Sequence, residues 1–283
     1  PQTILIKNKT NLGFAKAVNL GIDKAAGEFI CVLNPDTLIS DNTFQTLLEY
    51  ISQNPKTGCI GPKILNPNGT LQLACKRSFP SPLTALFKFI GLSRLFPESR
   101  LFGKYNLTYL NENEIHIVDA LSGSFMLFPQ HIVAEVGKLD ESFFMYGEDL
   151  DFCYRIQRTG YNIVYNPQTS IIHYKGESVK SAPYDMIEIF YSALHKFYHK
   201  YSNQFPSWKF LRSVISLGIS FRKALAYFKV YSTRITAWVL DITSILSCFI
   251  IAMFFWYPYY HGEIVNISTI ISHWALILNI ICC

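Results

Sequence analysis

Apolar runs separated by polar turns organise the first 200 residues. Thr3-Ile4-Leu5-Ile6 predicts a short buried strand. Asn11 to Gly21 reads as a turn passing into a small-residue helix over 15–26, closed by Gly27. Phe29 to Leu33 form a second apolar run, bounded by Asn34-Pro35-Asp36. Over 41–53, Phe44, Leu47, Leu48 and Ile51 recur at helical spacing, with Asp41 near the helix start. The turn Asn66-Pro67-Asn68-Gly69 follows. Strand and helix alternating in this way predict an α/β fold, a mostly parallel sheet with helices on both faces. Ligands of such sheets sit beyond the carboxyl ends of the strands, where Asn34-Pro35-Asp36 lies.

From 80 to 105 the pattern changes, with apolar residues from Leu83 to Phe102 interleaved with Lys88, Arg94, Arg100 and Lys104. Two readings stand there: a basic amphipathic segment on an anionic membrane, or a helical cover over the core. Val118 to Phe128 predicts a pair of strands around Ser122-Gly123-Ser124, and 130–137 a short helix. The turn Gly137-Lys138-Leu139-Asp140 leads to Phe143-Phe144-Met145-Tyr146-Gly147-Glu148-Asp149-Leu150-Asp151, where aromatic residues run straight into three acids. Strands are predicted at 162–165 and 170–174, then an aromatic helix over 184–201.

The tail differs in kind. Ile235 to Phe254 is 20 residues with one charge, Asp241, and Ile264 to Cys283 is 20 residues with none. Each is about the length that crosses a bilayer core, so a transmembrane hairpin is predicted, a buried helical hairpin being the other reading. Arg222, Lys223, Lys229 and Arg234 precede the first span, which puts the N-terminal domain on the cytoplasmic side of the inner membrane. The expected organisation is a domain over 1–204, a basic juxtamembrane segment over 205–234, and two spans over 235–283.

Composition adds little to this picture. Half of the residues are apolar, and the net charge of +5 comes largely from Lys and Arg after residue 195, without the dense basic run of a nucleic-acid tail. The seven cysteines form no C-x-x-C pair, which suits a reduced setting and indicates neither a disulfide framework nor a structural zinc. The chain opens at Pro1 on a strand-like run and ends at Cys283 inside an apolar one, so both ends read as cut.

Five polar clusters fall at predicted strand ends or helix starts: the Asn11–Gly21 loop, Asn34-Pro35-Asp36, Ser122-Gly123-Ser124, Glu148-Asp149-x-Asp151 and His173. An acid after a strand can hold Mg²⁺ or Mn²⁺ with a diphosphate completing the shell, and a histidine can add a nitrogen ligand. A glycine-bearing turn at a helix start admits a nucleotide. Acids beside apolar walls can serve as a general base, and they can equally be a solvated helix start. Taken singly, Asn-Pro-Asp is also a plain turn and His173 a satisfied structural residue.

Together the clusters resemble a family. Asn11-x-Gly13-Phe14-Ala15-x-Ala17-x-Asn19-x-Gly21, Leu33-Asn34-Pro35-Asp36, Ser122-Gly123-Ser124-Phe125-Met126, Phe144-Met145-Tyr146-Gly147-Glu148-Asp149-x-Asp151 and His173-x-x-Gly176-x-Ser178 resemble family 2 glycosyltransferases. The resemblance is strongest to bacterial rhamnosyltransferase-like enzymes of cell-surface polysaccharide synthesis, and it covers roughly residues 1–200. It implies a GT-A fold, a nucleotide-sugar donor such as a dTDP-rhamnose-like or UDP-sugar, a divalent metal, Mg²⁺ or Mn²⁺, and a glycan or lipid-linked acceptor. It also implies site residues. Asp149 matches the base, with Glu148 beside it; Asp36 matches the last acid of a D-x-D-like metal motif, whose first acid is replaced by Asn34 here. His173 matches a position that touches the metal or diphosphate. Asn11, Gly13 and Asn19 would line the nucleotide, and Ser122 and Gly123 the sugar or acceptor.

Family members begin with a strand, helix and strand that hold the base and ribose, and this sequence starts near the third strand. The expectation is therefore an N-terminally truncated inverting, metal-dependent transferase on a membrane. The alternative is a catalytically inactive membrane-bound binding module. A processive synthase would want a Q-x-x-R-W-type segment after the base, and none precedes the predicted spans.

Overall fold

Every residue from Thr57 to Pro62 is buried, which requires cover on both faces of the strand they form. That strand, β3 (Thr57–Leu65), lies in the middle of the main sheet. In chain order the other strands are β1 (Phe29–Leu33), β2 (Thr37–Ile39), β4 (Lys76–Arg77), β5 (His116–Val118), β6 (Ala120–Leu121), β7 (Phe125–Pro129) and β8 (Asn162–His173). The main sheet has the order β1-β7-β3-β8-β2, with β5 also paired to β8, while β4 and β6 form a small ribbon of their own. These facts come from a computed structural model, which describes residues 3–89, 91–174, 186–201, 206–252, 254 and 259.

The α/β class is as expected, but the sheet is mixed rather than mostly parallel. Only β3 and β8 run parallel; β1–β7, β3–β7, β2–β8 and β5–β8 are antiparallel. The cause is β7, which follows the Ser122-Gly123-Ser124 turn and enters between β1 and β3 in the opposite direction. The two strands predicted over 162–174 are one. Pairing with β3 slips between Asn166 and Ser170, around Pro167, which has no N–H for the ladder. Residues 3–6 form no strand. No ladder partner meets them among the described residues, and Ile4 and Leu5 are exposed.

Among the described residues, seven α-helices accompany the sheet in the first 201 positions: α1 (Phe14–Ile22), α2 (Thr43–Gln53), α3 (Pro82–Phe89), α4 (Leu92–Leu95), α5 (Gln130–Val136), α6 (Glu148–Arg158) and α7 (Met186–Tyr201). Helix α1 stops short of Gly27, because Lys24 and Ala25 turn back onto the carbonyls of Gly21 and Ile22. Helix α6 buries Leu150, Phe152, Cys153, Tyr154 and Ile156. Tyr154 then joins Phe79, Phe197 and Tyr201 in an aromatic cluster that ties α7 down, the Tyr154 and Tyr201 rings lying 4.2 Å apart. Between 80 and 105, α3 and α4 close on a small cluster of Phe87, Phe96 and Phe102, while Leu83, Leu95 and Leu101 remain exposed.

Cys59, Cys75 and Cys153 are buried unpaired thiols and serve as small core residues.

The chain separates into two compact units, Pro1–Lys223 and Ala224–Cys283. A last helix, α8 (Pro206–Ile251), contains most of the first predicted span. Among the described residues, no helix is long and apolar enough to cross a membrane. Asp241, Thr243, Ser244 and Ser247 lie six to twelve positions after Ile235, and the predicted span is not shown. The second predicted span, 264–283, lies outside the described residues, as do Gly176 and Ser178.

One contact sets where the acidic stretch lies. Phe14 N–H donates to the Phe144 carbonyl at 2.7 Å, and this needs Gly13. Its φ is +83°, and a Cβ there would sit 2.5 Å from the Phe144 oxygen, which is backbone and cannot swing away. Gly13→Ala is expected to lower unfolding free energy by about 3 kcal/mol, read from the urea midpoint, since both strain and a backbone clash are introduced.

Candidate active site

Helix α6 begins with three acids, and the fold sends them to three different environments. Gly147 precedes them in a left-handed conformation, φ +87°, and a Cβ on it would come within 2.9 Å of the Phe143 ring. Tyr146, also left-handed at φ 67°, is a non-glycine residue held in a sparsely populated conformation. Backbone strain of this kind clusters at functional sites.

Asp149 is held from the side. Its Oδ2 accepts from Arg77 Nη2 at 2.5 Å and from Gly123 N–H at 3.3 Å, and its Oδ1 accepts from Leu150 N–H at 2.8 Å. Only 13 % of the Asp149 side chain and 12 % of the Arg77 side chain are exposed. A carboxylate offers about four lone-pair directions, so three protein donors leave room for one further hydroxyl.

Glu148 is 5 % exposed, and its Oε2 has no hydrogen-bond partner among the described residues. Burial pushes its carboxyl up to about 8, the adjacent Asp149 charge adding to the effect. Asp151, fully buried, is the opposite case. Arg155 Nε donates to its Oδ2 at 2.9 Å, while Lys200 Nζ at 2.5 Å and Tyr201 Oη at 2.6 Å donate to its Oδ1. Its charge is spent in fastening α6 to α7.

A second cluster gathers where β1, β2 and β8 meet. Asp36 Oδ1 lies 3.2 Å from His173 Nε2, and Asn34 Nδ2 lies 3.4 Å from the same nitrogen. His173 Nδ1 meets Gln72 Oε1 at 2.8 Å. With that oxygen accepting, Nδ1 carries the proton and the Nε2 lone pair turns to Asp36 and Asn34. Asp36 Oδ1 is buried without a hydrogen-bond partner. A carboxylate oxygen facing a ring-nitrogen lone pair is unfavourable until a cation joins them, either a proton on Nε2 or a metal ion. The 3.2 Å separation also matches adjacent ligands on a small octahedral ion, about 3 Å for bonds of 2.0–2.1 Å. The residues fit a divalent metal, with two protein ligands. No group of three or more His, Cys, Asp or Glu that could hold a metal occurs among the described residues, so the remaining positions would fall to substrate or water.

Residues 120–124 join the clusters. The Leu121 carbonyl accepts from Arg77 Nη2 at 2.6 Å, Gly123 N–H donates to Asp149, and the Ser124 carbonyl accepts from Asn34 N–H at 3.0 Å. Ser122 Oγ lies 3.0 Å from Ser124 Oγ.

Of the residues singled out from the sequence, Asn34, Asp36, His173, Ser122, Gly123, Glu148 and Asp149 thus fall into two linked clusters. Asn11 and Gly13 act on the backbone, Asn11 Oδ1 accepting from Gly13 N–H at 2.9 Å. Asn19 departs from the expectation of a nucleotide contact: it is buried, donates to the Leu139 carbonyl and Glu141 Oε1, and accepts from Leu139 N–H. Its amide is engaged in holding the 139–141 segment. Two participants escaped the sequence reading. Arg77 sits in an unremarkable polar stretch, and Gln72 lies 101 residues from its partner, so no local pattern marks either.

The glycosyltransferase like family 2 model matches residues 2–185. An N-acetylglucosaminyl-diphospho-decaprenol L-rhamnosyltransferase of Mycobacterium tuberculosis is 30 % identical over 194 residues, 65 % of this chain and 62 % of that protein. A low-salt glycan biosynthesis hexosyltransferase of Haloferax volcanii is 35 % identical over 157 residues, 54 % of this chain and 46 % of that one. The chain thus spans less than two thirds of these relatives' own lengths. The crystal structure of GalNAc-T7 with UDP, GalNAc and Mn²⁺ aligns at a TM-score of 0.41 and 17 % identity, over 59 % of this chain and 31 % of that one.

Glu148 titrates higher in the folded chain than in the unfolded one, where its carboxyl is ordinary. The folded state binds the extra proton, so this contribution to stability is complete at low pH and is lost as pH rises to about 8. Glu148→Gln is expected to flatten the fall in stability between about pH 5 and pH 8. Urea unfolding across that range, on both proteins, checks it; parallel curves would refute the protonated Glu148.

Proposed function

The chain belongs to the glycosyltransferase like family 2, and from that premise we propose that it transfers a sugar from a nucleotide-sugar donor, dTDP-rhamnose-like or a UDP-sugar, to a glycan or lipid-linked acceptor in cell-surface polysaccharide synthesis. The observation that carries the reading is the pairing of a held, ionisable Asp149 with the Asp36–His173 cluster across residues 120–124.

Inverting displacement needs one base and no enzyme nucleophile. The acceptor hydroxyl oxygen forms the new bond to the anomeric carbon, while the bond from that carbon to the diphosphate oxygen breaks and its electron pair leaves with the diphosphate. Asp149 takes the hydroxyl proton. A neutral Glu148 beside it leaves a single negative charge on the pair, so the two carboxyls do not repel each other. Asp36 and His173 would hold Mg²⁺ or Mn²⁺, with Gln72 fixing the imidazole tautomer. When bound, such an ion offsets charge growing on the leaving diphosphate. Asn11, Gly13 and Asn34 would border the donor, and Ser122 and Gly123, being next to Asp149, the acceptor.

Attachment to the cytoplasmic face of a membrane forms part of the proposal. Along the second unit, Leu225, Phe228, Ile235, Trp238, Ile242 and Ile245 are exposed at helical spacing. Lys229 and Arg234 interrupt the stripe in sequence, as in a helix lying at an anionic interface.

Asp149→Asn is expected to lower transfer by roughly 10²–10⁴-fold with folding intact, measured as nucleoside diphosphate release in the presence of Mn²⁺ or Mg²⁺. Unchanged turnover would remove Asp149 from the role of base. For the membrane, the full chain is expected to sediment with phosphatidylglycerol-containing vesicles and to be released from them by replacing Trp238 and Phe228 with serine. Equal sedimentation with and without vesicles would refute it.

A further inference from the structure

Arg77 has no assigned part in this reaction, yet the fold goes to some length to deliver it. Its guanidinium is almost wholly buried, and its Nε has no hydrogen-bond partner among the described residues. Burying a cation with an unmade donor is unfavourable, so the contact at the other end of the fork has to offset it. There Nη2 donates to two acceptors, Asp149 Oδ2 at 2.5 Å and the Leu121 carbonyl at 2.6 Å.

The backbone around Arg77 is built for that placement. β4 is two residues long and, among the described residues, pairs only with β6. It is reinforced by Asp119 N–H on the Arg77 carbonyl at 3.1 Å and by Phe79 N–H on Asp119 Oδ2 at 3.0 Å. A two-residue ribbon contributes little by itself. What it does is carry Arg77 to the start of α6.

We infer that Arg77 is a positioning residue that makes Asp149, and not Glu148, the charged member of the adjacent carboxyl pair and fixes the orientation of its carboxylate. This rests on the reading of Asp149 as the base. Adjacent carboxyls at a buried helix start hold one charge more readily than two. The asymmetry comes from their neighbours. Arg77 reaches across from β4 to Asp149, backed by Tyr105, and Gly123 N–H adds a second donor from the 122–124 turn. Glu148, Asp151 and Cys153 are the titratable groups of α6 nearest to it, and Asp151 is already paired with Arg155 and Lys200. Arg77 acts on Glu148 as well, but there burial and the Asp149 charge outweigh it, whereas its direct ion pair is with Asp149. Through Leu121, the same guanidinium ties the carboxylate to the loop that borders the acceptor.

The test is a ¹³C-carboxyl NMR titration of the full chain, with the two resonances assigned by Asp149→Asn and Glu148→Gln. In the wild type, Asp149 is expected to ionise first and to remain charged through neutral pH, with Glu148 following. In Arg77→Gln the Asp149 midpoint is expected to rise by about one pH unit or more. In Arg77→Lys, which keeps the charge and loses the fork, it is expected to stay within about half a unit of wild type, while transfer falls roughly tenfold. A purely structural Arg77 would move thermal unfolding and leave these midpoints alone. The inference is overturned if Glu148 ionises before Asp149 in the wild type, or if a folded Arg77→Gln leaves the Asp149 midpoint in place. Should Arg77→Gln not fold, the wild-type order and the Arg77→Lys midpoint decide it, a Lys variant shifted as far as one unit counting against. Undiminished turnover in Asp149→Asn would instead sink the reading of the base and leave the titration result standing.

Discussion

The backbone that carries the three acids of α6 is held in place by the docking of segment 139–147. It is fastened from three directions. Helix α1 holds it through the Asn19 amide on Leu139 and through Phe14 N–H on the Phe144 carbonyl. Helix α7 holds it through Lys196 on the Ser142 carbonyl and Lys200 on Asp140. Gly147 lets Phe143 fold under the start of α6, and Phe143 is buried. Loosening any of these would let the aromatic run drift and carry the acids of α6 with it.

Given that platform, three acids within four residues take three roles, because burial penalises charge and each has a different means of offsetting the penalty. Asp151 has two cations and a tyrosine hydroxyl. Asp149 has one guanidinium and a backbone N–H. Glu148 has only a backbone N–H and the more remote charge of Arg77, which burial and the Asp149 charge outweigh, so its carboxyl is pushed up. Identical chemistry in the sequence is thus differentiated only by what the fold places opposite it, and the helix dipole, common to all three, cannot tell them apart.

This explains what was legible in the sequence. The helices over 41–53 and 130–137 were, because amphipathic spacing is local, and so were the five polar clusters at element ends. Sheet direction was not. Strand alternation suggested parallel pairing, whereas β7 returns between β1 and β3, a choice made by long-range packing. The break at Pro167 resembled two strands because proline interrupts a ladder without ending a strand. Asn19 resembled a ligand contact because its segment is a motif, while its side chain closes a tertiary bond 120 residues away. Length and low charge suggested a membrane span at 235–254, whereas among the described residues no helix is long and apolar enough to cross a membrane.

Arg77 and Gln72 belong together in this respect. Each orients a residue the sequence did mark, Asp149 in one case and His173 in the other, and each comes from the stretch between β3 and α3 that carries no family motif. That stretch runs from the 3₁₀ turn at Leu73–Cys75 into β4, so the two side chains are only five residues apart while serving different clusters. The displacement proposed above would place the attacking hydroxyl and the leaving diphosphate on opposite sides of the sugar carbon. Two short bridges join the clusters that would hold them. Residues 120–124 bind the clusters from one side, and residues 72–77 from the other. A chain of five residues spans at most about 18 Å, so each bridge limits how far the clusters it joins can separate. The site is therefore gauged by covalent chain as well as by hydrogen bonds.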